Sequence, residues 1–275
     1  MSRIEEALEK AARLRSSERS NVTVGKTVAT AVHVPPLPSS PAAAKIENPF
    51  IVTVNDPHTP AAEEYRKLKS ILVKLTKGEH FQNTLMVTSS VGSEGKSLTA
   101  LNLAVSLAQE YDHTVLLVDA DLRKPSIHQY IGLDPKVGLA ECLLDGVDVG
   151  EAIVNTGIGK LSVLLHGKTI RNPAELFSSL RMKELVKELK HRYPDRYIII
   201  DTPPVLPFAE TRSISTLIDG IVFVVKEGAA SLNDVSDAIA ALKGTNLLGI
   251  VYNEASIDGF NDRYNYYYRY DAEKW

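Results

Sequence analysis

The stretch that most constrains the fold begins with an apolar run, Thr84-Leu85-Met86-Val87, and continues as Thr88-Ser89-Ser90-Val91-Gly92-Ser93-Glu94-Gly95-Lys96-Ser97. Leu98 to Glu110 then carries Ala and Leu at helical spacing. A short apolar run with polar flanks reads as a buried strand, and the glycines interrupt it before the helix starts. Strand, glycine-containing loop and helix in that order form a cradle for phosphate. Backbone N–H groups of Ser90, Gly92, Ser93, Glu94, Gly95, Lys96, Ser97 and Leu98 turn toward an anion, and the helix N-terminus adds its positive dipole end. Lys96 is then placed for the β- and γ-phosphates of a nucleotide and the Ser97 hydroxyl for Mg²⁺. The pattern G-x-x-x-x-G-K-[ST] is met except that Ser90 stands where the first Gly belongs.

The rest of the chain supplies the sheet that such a loop needs. Val115-Leu116-Leu117-Val118 runs into Asp119-Ala120-Asp121-Leu122-Arg123, and Tyr197-Ile198-Ile199-Ile200 runs into Asp201-Thr202-Pro203-Pro204. Leu161 to Leu165, Ile221 to Val225 and Leu248 to Tyr252 are further apolar runs, with helical patterns between them. One long amphipathic helix is predicted from about Ala174 to Arg192. Continuous apolar strands alternating with helices predict an α/β, P-loop NTPase-like fold, a mostly parallel sheet with helices on both faces. Carboxylates that follow such strands emerge at the carboxyl edge of the sheet, where ligands of open α/β sheets bind.

The ends read differently. Ser2 and Glu5 form a capping box for a helix over residues 1–15, with Ile4, Leu8, Ala11 and Leu14 on one face. It is either a marginal helix or a docking helix for a partner. Residues 16–60 lose periodicity, and half of the 14 prolines lie between Pro35 and Pro60; this predicts a disordered linker. The folded domain is predicted over 61–258. It opens on a helix in which Glu63, Arg66 and Lys69 form a charged ridge, either a solvated face with internal ion pairs or a subunit contact. Residues 259–275 hold five of the 11 tyrosines, Tyr264, Tyr266, Tyr267, Tyr268 and Tyr270, in a polar segment predicted to be a mobile tail.

Composition narrows the class. A net charge of −3 gives no electrostatic footprint for bulk nucleic-acid binding. Cys142 is the single cysteine, so no internal disulfide can form, and its apolar neighbours predict a buried core thiol rather than a nucleophile. With neither a signal-peptide h-region nor an apolar run of roughly 18 residues, the reading is a cytoplasmic chain that meets a membrane only through a partner.

Three acids at strand tips beside a phosphate loop specify metal-assisted phosphoryl chemistry. Asp201 and Ser97 are placed to hold Mg²⁺. Asp119 and Asp121 lie two apart, so one can face the metal and the other the attacking group. A tyrosine hydroxyl titrates near 10, so attack at neutral pH needs a carboxylate to take its proton. Asp119 or Asp121 is placed for that role.

The combination resembles the bacterial tyrosine kinases, a P-loop family unrelated in fold to eukaryotic protein kinases. Ser90 to Ser97 resembles their Walker A motif. Val115 to Arg123 resembles their Walker A′, aliphatics followed by D-x-D-x-R, and Ile198 to Pro204 their Walker B. Glu63-x-x-Arg66-x-x-Lys69 resembles their helical oligomerisation motif, with Lys69 in place of an Arg. The tyrosine-rich end resembles their autophosphorylation cluster. The N-terminal segment followed by a Pro-rich linker is similar to autokinases of exosortase/PEP-CTERM exopolysaccharide loci.

The resemblance implies ATP and Mg²⁺ as cofactors, and Lys96, Asp119, Asp121 and Arg123 as catalytic residues. It implies Ser97, Asp121 and Asp201 as metal ligands, and Asn253 at the position where related P-loop ATPases contact adenine. It further implies trans-phosphorylation of the tail within a ring of copies, a membrane chain-length regulator of polysaccharide export as partner, and a cognate tyrosine phosphatase. The rival within the fold is a partition-type ATPase of the ParA/MinD kind, a switch without kinase activity. Such proteins carry a second Lys near the start of the loop, where this chain has Ser90-Val91-Gly92. A rival of another class is a non-catalytic scaffold with an aromatic tail, against which the intact Lys96, Ser97 and three aspartates argue.

Overall fold

A computed structural model describes residues 48–256, apart from residues 79, 111 and 135. The expected helix at 1–15, most of the linker and the tail with its tyrosines lie outside the described residues.

The linker expected through residue 60 gives way to folded chain earlier. Helix α1 spans Val52–Asn55 and α2 spans Pro60–Thr76. Ile51 is completely buried. The Thr53 amide and hydroxyl donate to Asn102 Oδ1 at 3.3 and 3.1 Å, and Asn102 Nδ2 donates to the Phe50 carbonyl at 3.0 Å. These residues are held by a buried asparagine about 50 positions downstream, a contact that leaves no periodic trace among prolines. Helix α2 begins where Thr59 Oγ1 accepts from the Ala62 amide, with Pro60 in the first helical position.

The core alternates thereafter. Strand β1 (Thr84–Ser89) leads through the loop into α3 (Lys96–Ala108), and β2 (Thr114–Asp119) leads into α4 (Ile127–Ile131). Short helices α5 (Leu139–Leu144) and α6 (Val149–Ala152) precede β3 (Ile153–Asn155) and β4 (Leu161–Leu164). Helices α7 (Pro173–Phe177) and α8 (Leu180–Arg192) stand where one long helix was predicted. Ser179, in extended backbone, separates them and caps α8 by accepting from the Met182 amide. Then follow β5 (Arg196–Asp201), α9 (Ala209–Ser215), β6 (Gly220–Lys226), α10 (Leu232–Ala241) and β7 (Leu247–Asn253).

The seven strands pair in the order β3-β4-β2-β5-β1-β6-β7. All neighbours are parallel except β3, antiparallel to β4; three residues at an edge were too short a pattern to read from sequence. Strand alternation divides the core. Leu85 and Val87 of β1, Val115 and Leu117 of β2 and Ile199 of β5 pack with α3, while Met86, Leu116, Val118, Ile198 and Ile200 pack on the other face with α5 to α10. Cys142 lies in that second core, and burial raises its thiol to about 11, as fits an inert core sulfur.

The topology decides where the chemistry goes. Strand β5 lies between β1 and β2 and pairs Asp201 with both Val87 and Asp119. The Ala120 amide donates to the Asp201 carbonyl at 2.9 Å, and the Thr202 amide to the Val87 carbonyl at 3.1 Å. Three loops distant in sequence therefore leave the sheet side by side.

Candidate nucleotide and phosphotransfer site

The loop after β1 is held from within. Ser90 Oγ donates to Glu94 Oε2 at 2.7 Å, and the Val91 amide donates to the same oxygen at 2.8 Å. Glu94 is completely buried. Its side chain therefore ties the loop together, and only its backbone is left for an anion. Gly95 has φ of +87° just before the first turn of α3, and a Cβ there would lie 2.1 Å from Asn253 Nδ2. Only glycine fits both demands. Asn253, at the end of β7, donates from Nδ2 to the Glu94 carbonyl at 3.0 Å, so it buttresses the loop. Gly92 and Ser93 are exposed at the tip, and Leu98 is half-buried in the first turn of α3.

Lys96 and the acids converge. Lys96 Nζ lies 2.7 Å from Asp121 Oδ2, 3.1 Å from Ser97 Oγ and 3.8 Å from Asp201 Oδ1. Burial works against the Lys96 charge, but Asp201 and Asp121 outweigh it and hold its basicity above the usual lysine value. Burial pushes Asp201 up to about 6, with Lys96 opposing. Asp119 is raised well above the ordinary carboxylate range by burial, then by Asp201 and Asp121. Neither Asp201 carboxylate oxygen has a hydrogen-bond partner, and Asp119 Oδ1 has none either. Buried oxygens of this kind are costly unless a cation or a donor meets them. Ser97, Asp121 and Asp201 thus present the hard oxygen set that suits Mg²⁺.

The remaining predicted residues have partners of their own. Arg123 Nε donates to Glu210 Oε1 at 2.5 Å, and the guanidinium lies 4.5 Å from the Phe208 ring centroid. It is thus engaged by Glu210 of α9 and by Phe208. Glu210 is itself buried, and a lone glutamate in a helix carries no motif that would mark it in the sequence. On α2, Arg66 pairs with Glu63 and donates to the Pro57 carbonyl, while Lys69 reaches Glu110 at 2.8 Å. The charged ridge therefore makes internal ion pairs, with Glu63 and Arg66 still 41% exposed at their side chains. His128 and His166, also unremarked in sequence, lie beside Asp119.

The fold and these groups define a P-loop NTPase of the ParA class. The family model described as ParA, "NUBPL iron-transfer P-loop NTPase", matches residues 80–268; the iron transfer is said of that model's namesake. Tyrosine-protein kinase YwqD of Bacillus subtilis is 35% identical over 219 residues, 79% of this chain and 90% of YwqD. Tyrosine-protein kinase etk of Escherichia coli K12 is 30% identical over 74% of this chain, which spans 28% of that longer relative. Among solved structures, the chimerical protein CapA2B2 superposes with a TM-score of 0.69 at 30% identity, over 75% of this chain and 90% of that one. The chain belongs to the bacterial tyrosine kinases. Among the described residues no helix is long and apolar enough to cross a membrane.

Proposed function

We propose that the kinase transfers the γ-phosphoryl of Mg-ATP to Tyr264, Tyr266, Tyr267, Tyr268 and Tyr270 of its own C-terminal segment, one copy acting on another. The observation that carries the reading is the contact of Lys96 Nζ with Asp121 Oδ2 at 2.7 Å, beside Asp201 and Asp119 with unpartnered oxygens. One cation and three acids buried at a sheet edge are preorganised for charge that moves from a leaving phosphate to an attacking oxygen.

Each residue then has a role. Backbone amides from Ser90 to Leu98 hold the phosphates, and Asn253 Oδ1 accepts from the adenine amine while Nδ2 keeps the loop closed. Lys96 turns from Asp121 to the β- and γ-phosphate oxygens. Ser97, Asp121 and Asp201 would hold Mg²⁺, which when bound draws off charge from the transferring phosphoryl. Asp121 is assigned to Mg²⁺ and also accepts from the Lys124 amide, whereas Asp119 has a free oxygen. Asp119 is therefore read as the base. It accepts the tyrosine proton as the Tyr O–P bond forms and the bond from Pγ to the β,γ-bridging oxygen breaks. Arg123 acts from the side, its guanidinium held by the buried Glu210 carboxylate at the start of α9.

By the same reading, Glu63, Arg66 and Lys69 contribute to a ring of copies, exchanging their internal pairs for contacts with a neighbour. A membrane chain-length regulator docks the kinase at the inner face of the membrane, a tyrosine phosphatase resets it, and cycling controls exopolysaccharide polymerisation and export. The support is the similarity in motifs to autokinases of such loci.

Incubating the full chain with Mg-ATP and mapping phosphosites by mass spectrometry tests the core of this. Phosphate on the tail tyrosines, lost on deletion from Gly259 onward with nucleotide binding kept, is the expected result. ATP hydrolysis with no phosphotyrosine would instead mark a partition-type switch.

A further inference from the structure

The sheet order places a second set of ligating groups beside Asp119. Strand β4 is the neighbour of β2, with Leu164 opposite Val118, so His166, two residues beyond β4, emerges next to the Asp119 strand tip. His128 comes from α4, whose first residue donates its amide to Asp119 Oδ2 (Ile127 N, 3.3 Å). One ligand atom from each of Asp119, His128 and His166 lies within 4.8 Å of the other two. The two imidazole centroids are 4.6 Å apart, and His166 Nδ1 is 3.9 Å from Asp119 Oδ2.

The three groups share a defect that a cation would remove. Asp119 Oδ1, His128 Nδ1 and His166 Nδ1 are all buried without a hydrogen-bond partner. The ordinary explanation, a set of imidazoles satisfied by carbonyls or carboxylates in the core, fails on that count. Burial first, and then His128, depress the basicity of His166, which favours the neutral ring with one nitrogen able to ligate.

The backbone that presents His166 is clamped. The Leu139 and Ala140 amides donate to the Leu165 and His166 carbonyls at 2.8 and 3.0 Å. The Glu141 carboxylate accepts from the Gly138 and Lys168 amides, at 2.8 and 3.0 Å. Gly138 has to be glycine, since a Cβ would lie 2.3 Å from the Leu165 carbonyl oxygen. A ligand on a fixed backbone loses little entropy on binding.

We propose that Asp119, His128 and His166 bind a divalent transition-metal ion, Zn²⁺ in preference to Mg²⁺, and that the ion withdraws Asp119 from phosphotransfer. Two imidazoles and one carboxylate make a borderline N/O set that suits Zn²⁺ or Co²⁺, whereas Mg²⁺ takes oxygen. Three protein ligands leave a fourth position for water. A tetrahedral ion with bonds of about 2.0–2.2 Å holds its ligands roughly 3.4 Å apart, so rotation of the two rings closes the gap. The binding half of the proposal stands apart from the kinase reading; the inhibitory half rests on it.

The test titrates the full chain with Co²⁺ alone and then displaces it with Zn²⁺, with Mg²⁺ as control. Wild type should show the visible absorption of a low-coordinate cobalt site, displaced by Zn²⁺ and untouched by millimolar Mg²⁺. His128→Gln and His166→Gln should each weaken Zn²⁺ binding by at least about 100-fold, with circular dichroism and the urea midpoint reporting that the fold is intact. Equal Zn²⁺ affinity in wild type and in a folded His166→Gln chain would overturn the site, as would the absence of any cobalt band. In saturating Mg-ATP, Zn²⁺ at site-filling concentration should suppress tyrosine phosphorylation of wild type at least tenfold more than of His166→Gln. Equal suppression, or none, would overturn the inhibitory half.

Discussion

The Ser90 hydroxyl donates to the Glu94 carboxylate at 2.7 Å, closing the phosphate loop on itself. The position where the loop pattern expects glycine therefore carries a bond, and the partner lies four residues on in the same loop. Glu94→Ala leaves the Ser90 hydroxyl and the Val91 amide without an acceptor in a buried place, and each orphaned group costs about 1–3 kcal/mol. We expect a loss of at least about 2 kcal/mol in urea unfolding, and weaker nucleotide binding. Ser90→Gly removes one of the two bonds and should cost less. An unaltered unfolding midpoint in Glu94→Ala would contradict this view of the loop.

Lys96→Met removes the one cation among Asp119, Asp121 and Asp201. Breaking a buried pair from one side costs about 3–5 kcal/mol, so the metal-free variant should unfold at clearly lower urea. Phosphotyrosine should vanish from blots. A variant that still labels its tail would take the loop lysine out of the mechanism.

The raised acids make stability depend on pH in a defined direction. Burial raises Asp201 to about 6 in the folded chain, against about 3.8 for an ordinary aspartate. Between those values the folded protein keeps a proton that the unfolded chain has lost. The stability this confers is complete below about 3.8 and is lost as pH rises through about 6, on the order of 3 kcal/mol for such a shift. Asp119 acts with the same sign. In EDTA, wild type should lose more stability from pH 4 to pH 7 than Asp201→Asn does. Parallel curves would mean that Asp201 is not raised.

Residues 48–55 are read as part of the domain, with a measurable consequence. Ile51→Ala should cost about 2–5 kcal/mol, as for other fully buried large-to-small changes. A chain starting at residue 61 should melt well below one starting at residue 48. Equal melting temperatures would return the segment to the linker.

Arg123 and Glu210 separate a structural role from a chemical one. Arg123→Ala leaves the buried Glu210 carboxylate without its partner, which should cost about 1–3 kcal/mol. The pair Arg123→Ala with Glu210→Gln should recover most of that stability. If Arg123 serves only to hold Glu210, kinase activity returns with it. If activity stays low while the urea midpoint recovers, the guanidinium has a part in the chemistry as well.

Much of this architecture could be read along the chain because it is written in short-range patterns. Continuous aliphatic runs such as Val115 to Val118 and Tyr197 to Ile200 mark strands covered on both faces, and the acids that end them mark the sheet's carboxyl edge. The break at Ser179 leaves no mark in the sequence, because the apolar spacing carries on across it. The three residues of β3 were too few for any period to show.

What the sequence determined by itself was the inventory: the loop, the strands, the three aspartates at their ends and the tyrosines beyond, each set by local pattern. The tertiary structure alone decided which of them meet. Strand β5 inserts between β1 and β2, and so brings Lys96 to Asp121 across 25 positions. Strand β4 beside β2 brings His166 to Asp119 across 47. The Glu94 side chain faces into the loop, Arg123 faces Glu210, and Asn102 holds Thr53, because each buried polar group must find a partner wherever the packed chain supplies one. Spacing in sequence does not record that requirement, since it is met only once the sheet has closed.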